Sequence, residues 1–357
     1  MSQPFGDLPP LDVRPGPRVA EPLPADRPVR WGILATGKIA TSFAEELRHL
    51  PDAELAAVAS RDLSRAEAFA ARHGSPGSTR AYGSYAELVA DDRVDVVYVA
   101  SPHALHHEHT MLAFDAGKPV LCEKAFTLTA REAEDLVRVS RERGLFLMEA
   151  MWMRCNPVVR RLKQLAERGD LGRIQQVRAD LGFLVDVPQD HRLIAPELGG
   201  GALLDLGVYP LTLAYLFLGE PEKVEAVAEM SSTGIDLNLA VSLGWPGGAV
   251  ASLSSTMTAW SPRTASIATD LGRVDIGEAF HHPTEARWVA DGESHLVTEE
   301  VLGTGLAHEA AEVMRCLRNG EVESPLVPLD ESLDVMRLMD RIRDRIGLRY
   351  AADEVTV

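Results

Sequence analysis

Residues 32–40 read Gly32-Ile33-Leu34-Ala35-Thr36-Gly37-Lys38-Ile39-Ala40, an apolar run that passes at once into a helix-compatible segment. Set against the pattern G-x-G-x-x-G/A, its three small positions are Ala35, Gly37 and Ala40. The middle one carries most weight, because a side chain there would block the approach of a pyrophosphate to the backbone. A helix opening at Lys38 turns its free N–H groups and positive end toward such an anion. Alanine at the first position departs from the pattern, where glycine eases the tight turn. Ala35, Thr36, Gly37, Lys38 and Ile39 are therefore the residues expected to hold a dinucleotide.

Outward from this turn, strands and helices alternate. Val29–Leu34, Glu54–Ser60, Val94–Ala100, Pro119–Glu123 and Leu145–Glu149 read as apolar strands. The segments Lys38–Leu50, Ser64–His73, Ser84–Ala90, Leu105–Ala116 and Thr129–Arg143 read as the helices between them. Strands apolar throughout and separated by helices predict a doubly wound parallel sheet covered on both faces. After about residue 150 the period changes. A helix over Pro157–Arg168 is followed by half-buried strands at Ile174–Phe183, Val224–Ser231, Asp236–Gly244, Ala249–Met257, Ser266–Thr269, Arg273–Ile276 and Ala286–Ala290. Turn signals such as Pro246-Gly247-Gly248 and Asp291-Gly292 separate them, and helices over Gly305–Asn319 and Asp330–Ile346 close the chain. The fold class is an α/β Rossmann domain over 29–150, then an α+β domain over 151–357 with a large open, mainly antiparallel sheet. The second domain leaves its C-terminal helix free to pack back on the first. Residues 1–28 hold eight of the 22 prolines and show neither period, so they read as an extended or disordered arm.

Composition narrows the function. Of 357 residues, 46% are hydrophobic and 25% charged, the balance of a globular protein with a full core. Fifty-three acids against 36 bases give a net charge of −17, which argues against nucleic acid and anionic membranes as partners. Three scattered cysteines offer neither a disulfide framework nor a zinc site, and no apolar run reaches about 18 residues, so a cytoplasmic protein is expected.

Four segments carry chemistry. Where the second strand ends, Ser60-Arg61 supplies a hydroxyl and a guanidinium fork suited to a 2′-phosphate. Asp62 follows directly and would serve a ribose 2′-OH, so NADP is favoured and NAD stays open. After the strand Val94–Ala100, Ser101-Pro102-His103 forms a turn expected near the nicotinamide, with His106 close behind. His106, His107 and His109 lack zincin spacing, and no metal site is expected. At the end of the next strand, Glu123-Lys124 places an ammonium where open α/β sheets bind ligands, able to stabilise a developing alkoxide. Finally, Gly199-Gly200-Gly201 lead into a helical stretch with Asp205 and Tyr209 four apart on one face. Tyr209 is a poor base unless a cation stabilises its phenolate, and Lys124 can supply that cation while Asp205 orients the pair. His191 and His308 are further histidines able to line a cleft.

These segments together (WGILATGKIA, AVASR, SPHALHHEH, KPVLCEKAFTL, FLMEAMWMR and GGGALLDLGVYPL) resemble the Gfo/Idh/MocA oxidoreductases over residues 29–349. The likeness is greatest to the branch of dimeric dihydrodiol dehydrogenase and glucose–fructose oxidoreductase. The resemblance implies a Rossmann domain and an open-faced sheet whose exposed side forms homo-dimers or higher homo-oligomers. It implies that Glu123-Lys124-Ala125 stands for an E-K-P motif, with alanine replacing proline, and that Asp205 to Tyr209 stand for D-x-G-x-H/Y. Lys124, Asp205 and Tyr209 are then the catalytic group, with Glu123 and Lys124 at the cofactor. Arg154, with Trp152 and His191, lies at the substrate. The implied reaction is NADP-dependent hydride transfer at a secondary alcohol of a sugar, polyol or cyclic diol. Two other readings remain: a glycosidase acting by transient oxidation with tightly held NAD, and a non-catalytic NAD(P)-sensing regulator.

Overall fold

The computed structural model describes residue 5 and residues 8–13, 15–18, 20–75 and 77–353. Contacts divide the chain into two units. The first comprises Val13–Cys155 with Leu302–Leu333, and the second comprises Asn156–Val301 with the chain from Asp334 onward and the described residues up to Asp12. The boundary expected after residue 150 thus falls at Cys155/Asn156. Residues 302–333, expected with the second domain, belong to the first.

In the first unit six strands form one parallel sheet: β1 (Val29–Leu34), β2 (Ala53–Ala59), β3 (Arg80–Tyr82), β4 (Val96–Val99), β5 (Val120–Glu123) and β6 (Leu147–Ala150). Their order is β3-β2-β1-β4-β5-β6. The helices between them are α1 (Lys38–Glu46), α2 (Leu63–His73), α3 (Tyr85–Val89), α4 (His106–Asp115) and α5 (Ala130–Arg143), followed by the short α6 (Trp152–Cys155). All four residues of β4, β5 and β6 are buried, as a sheet covered on both faces requires. Phe43 of α1 joins helix to sheet, meeting Trp31 edge-on at 5.1 Å and stacking on Tyr98 at 3.9 Å. The edge strand β3 escaped the sequence reading because three residues carry no period. The helix predicted over Lys38–Leu50 ends earlier, its last turn tightening to a 3₁₀ turn at Leu47–His49.

The second unit has α7 (Pro157–Glu167), α8 (Val208–Leu218) and eight strands: β7 (Ile174–Gly182), β8 (Lys223–Met230), β9 (Asp236–Gly244), β10 (Val250–Thr256), β11 (Ala265–Thr269), β12 (Arg273–Ile276), β13 (Glu285–Ala290) and β14 (Glu293–Thr298). They pair in the order β14-β13-β12-β11-β7-β10-β9-β8, antiparallel throughout except for β7 with β10. Buried and exposed residues alternate along β9 and β10, so one face of the sheet is core and the other is open. The missed strand β14 was announced by its turn: Asp291 and Gly292 have φ of 51° and 80°, the left-handed pair that a tight hairpin needs. Two helices complete the chain, α9 (Leu306–Arg318) in the first unit and α10 (Leu329–Ile346).

One expectation is corrected. The proline-rich arm, where described, is pinned rather than free. Val322 N–H donates to the Pro17 carbonyl at 2.9 Å, Leu23 N–H to Leu317 at 3.0 Å, and Arg161 of the second unit reaches the Pro9 carbonyl at 2.7 Å. Residues 1–4, 6, 7, 14 and 19 of the arm lie outside the described residues. The run Pro196–Leu218 is long and apolar enough to cross a membrane by length and composition alone. However, 83% of its apolar window is buried inside the protein, as in a core helix.

Candidate active site

The parallel register brings the predicted cofactor residues to one edge of the first unit. Leu34 pairs with Ala59 on one side and Val99 on the other, and Val99 pairs with Cys122. The turns that follow these strands, carrying Ala35–Lys38, Ser60-Arg61, Ser101–His103 and Glu123-Lys124, therefore emerge side by side. The order reverses between β1 and β4, the crevice where open α/β sheets take ligands.

Gly37 caps α1 without any side-chain hydrogen bond, and no acidic residue stands in the first turn. A Cβ built on Gly37 meets nothing within 4 Å. Among the described residues nothing occupies that space and no side chain caps the helix, so the turn fits a dinucleotide pyrophosphate. Ala35 adopts φ 82°, the conformation for which the fingerprint uses glycine, and its N–H is held by the Ala59 carbonyl at 3.0 Å.

At the ribose end, Arg61 is exposed while Asp62 is committed to the protein. Asp62 caps α2, accepting from Ser64 N–H at 2.9 Å and Ser64 Oγ at 2.7 Å. These bonds hold its carboxyl below the usual range. Ser60 is buried, and its hydroxyl accepts from Asp62 N–H at 3.3 Å.

The histidine cluster divides into separate duties. His106, expected to touch the cofactor, is fully buried, and its ring nitrogens face the Ala125 carbonyl at 2.9 Å and the Ser101 carbonyl at 2.8 Å. Burial pushes its pKa down to about 4, so the ring is neutral at pH 7 and its single N–H donates to one of the two carbonyls. His109 Nδ1 meets Ser101 Oγ at 2.9 Å, and His107 Nε2 meets Asp135 at 2.9 Å. His103 is buried beside His106, 5.6 Å between ring centres.

Lys124 is half-buried, and its peptide bond to Ala125 is cis. The preceding Glu123 is buried, taking the Tyr98 hydroxyl on Oε1 and the Lys124 N–H on Oε2 at 3.1 Å. Glu149 and Glu309 of this unit are buried as well. Glu149 accepts from Ser332 Oγ at 2.7 Å, and burial pushes its pKa up to about 7. Glu309 of α9 is raised well above the carboxylate range by burial and by the charge of Glu123. Arg154, expected at the substrate, is buried instead, with Nε on the Leu326 carbonyl at 2.8 Å and its guanidinium paired to Glu331. Trp152, beside it, is half-buried.

In the second unit a π-helical turn over Leu203–Gly207 precedes α8, a form frequent at functional sites. Asp205 and Tyr209 are both buried. Arg192 Nη1 donates to Asp205 at 2.8 Å, and the Tyr209 ring lies 4.7 Å from that of His281. Neither Arg192 nor His281 was found from sequence, since neither belongs to a motif. His191 is exposed, and its Nδ1 accepts from Leu193 N–H at 3.3 Å. His308 accepts from Leu302 N–H at 3.0 Å in the first unit, where it closes the start of α9.

A glycine turn at the switch point of a parallel sheet, joined to a second unit built on an open sheet, defines a two-domain protein of the nucleotide-binding α/β class. Residues 29–151 match the Gfo/Idh/MocA oxidoreductase family with its NAD-binding Rossmann fold, and residues 159–275 match that family's C-terminal domain. The chain belongs to the Gfo/Idh/MocA family and is an NAD(P)-binding oxidoreductase. It is 37% identical over 339 residues to trans-1,2-dihydrobenzene-1,2-diol dehydrogenase of Bos taurus, covering 91% of this chain and 99% of the bovine protein. It is also 37% identical over 367 residues to a D-xylose 1-dehydrogenase (NADP(+)) of Hypocrea jecorina, covering 90% and 93%. Among solved structures, a 3-ketoreductase from Actinomadura kijaniata with NADP and TDP-benzene has TM-score 0.80 and 29% identity, covering 90% of this chain and 98% of that one. An aldose-aldose oxidoreductase from Caulobacter crescentus shares the fold at TM-score 0.82 and 23% identity, covering 90% and 98%.

Proposed function

We propose that this enzyme transfers hydride between NADP and a secondary alcohol or carbonyl of a sugar, polyol or cyclic diol. The observation that carries the cofactor choice is the division of labour at Arg61 and Asp62. The carboxylate is spent on the α2 cap, while the guanidinium remains exposed at the end of β2. Relatives named for an NADP-dependent xylose dehydrogenase and a diol dehydrogenase support the substrate class.

NADP, when bound, supplies the acceptor for the hydride that leaves the carbinol carbon. Tyr209 takes the hydroxyl proton in oxidation and returns it in reduction. Lys124 holds the substrate oxygen through its ammonium and stabilises the charge developing there. Asp205, fixed by Arg192, orients this group. General acid–base help of this kind supplies about 10²–10⁴ in rate. The open face of the second sheet, where Val227 is 71% exposed, serves self-association into a homo-dimer or larger assembly.

The test is turnover of sugars, inositols and diols with both cofactors, on wild type and Arg61→Ala. Loss of a guanidinium–phosphate pair weakens NADPH at least tenfold and NADH by less than about twofold. Equal losses for the two cofactors overturn the NADP assignment.

A further inference from the structure

Asp236 opens β9, is fully buried, and takes no part in the reaction as described. Its Oδ2 accepts from Leu203 N–H at 2.7 Å, at the start of the turn that carries Asp205 and leads to Tyr209. Among the described residues its Oδ1 has no hydrogen-bond partner, and it lies 2.3 Å from where a Cβ on Gly201 would fall. Gly201 has φ 126°, and its N–H is held by the Leu193 carbonyl at 3.0 Å. Gly200 is equally confined, since its Cβ would meet the Leu193 carbonyl at 2.9 Å. The carboxyl thus satisfies an N–H that the first turn of a helix leaves orphaned, and it fills space that only glycine vacates. It also sets a negative charge against the positive end of the helix dipole.

We propose that Asp236 is the positioning residue of this helix. Its carboxylate fixes the turn at Leu203 and so the direction in which Tyr209 presents its hydroxyl. The inference rests on the reading of Tyr209 as acid–base. Burial pushes the Asp236 pKa up to about 6, which still leaves the group ionised at neutral pH.

The experiment measures kcat and NADPH affinity for Asp236→Ala in the wild-type and Tyr209→Phe backgrounds, a double-mutant cycle. In the wild-type background kcat falls at least tenfold with NADPH affinity within twofold. In the Tyr209→Phe background, where no phenol remains to be aimed, the further loss is less than twofold. Should Asp236→Ala fail to fold, the isosteric Asp236→Asn is read in the same cycle, with a three- to tenfold loss expected only where Tyr209 is present. Wild-type kcat in whichever variant folds, or the same loss in both backgrounds, overturns the proposal. Full turnover by Tyr209→Phe alone instead removes the acid–base reading on which it rests.

Discussion

Two glycine turns in this molecule look alike in sequence and do opposite things. At Gly37 a missing side chain leaves a space that no atom of the described residues fills, at a helix start without a side-chain cap. At Gly200 and Gly201 the missing side chains are replaced at once by the protein itself, by the backbone of Leu193 and Ala195 and by the Asp236 carboxyl. The first is a cradle for a ligand; the second is a lock that holds a helix. A glycine run therefore marks close approach, and only the surroundings tell whether a ligand or the chain does the approaching.

The same substitution at the two turns breaks or sharpens that contrast. Gly37→Ala places a methyl in the vacant cradle and weakens NADPH at least tenfold by titration, while costing less than about 1 kcal/mol in denaturant unfolding. Gly201→Ala forces alanine to φ 126° against Asp236 and costs about 2–4 kcal/mol, with NADPH affinity within twofold. Equal effects on affinity and stability at both positions would erase the distinction.

Each unit also buries an acid, and the first unit's Glu149 gives a pH signature. Its pKa is raised in the folded state to about 7 from a model-peptide value near 4.5. The folded protein thus binds the extra proton between these values, and stability from this group falls as pH rises from about 4.5 through about 7. Glu149→Gln removes that dependence. Its stability relative to wild type grows across the window by an amount on the order of 3 kcal/mol. A pH-independent difference in denaturation midpoints would show that Glu149 is ionised throughout.

The smallest effect concerns Ala35, an alanine held at φ 82°. Ala35→Gly relieves that conformation and raises stability by about 0.5–1 kcal/mol, with NADPH affinity kept within twofold. A lower melting temperature would mean that the turn gains more from the Ala35 methyl than it loses to strain.

The parts of the site that lie on local periods were legible in the sequence. The turn at Gly37, the ends of β2 and β5, and the spacing of Asp205 and Tyr209 are all encoded within a few residues of one another. The partners that hold them are not. Asp236 stands 33 residues beyond Leu203, the bond it accepts being 2.7 Å. Glu46 caps α9 through Thr304 and Ala307, more than 250 residues further along the chain. No window on the chain contains both ends of such a bond. His106 and Arg154, residue types that favour a ligand and were expected to face one, show the converse situation. Burial turned both inward onto carbonyls and a carboxylate. The hairpin at Asp291-Gly292 was visible as a turn but not as a strand pair, because β14 alternates too weakly to declare itself.

The account stands or falls on the phenol. Steady-state kinetics of Tyr209→Phe, run with saturating NADP on the best substrate found by screening, measure its part directly. The account predicts kcat lower by about 10²–10⁴ with NADPH affinity nearly unchanged. Turnover at the wild-type rate would contradict it.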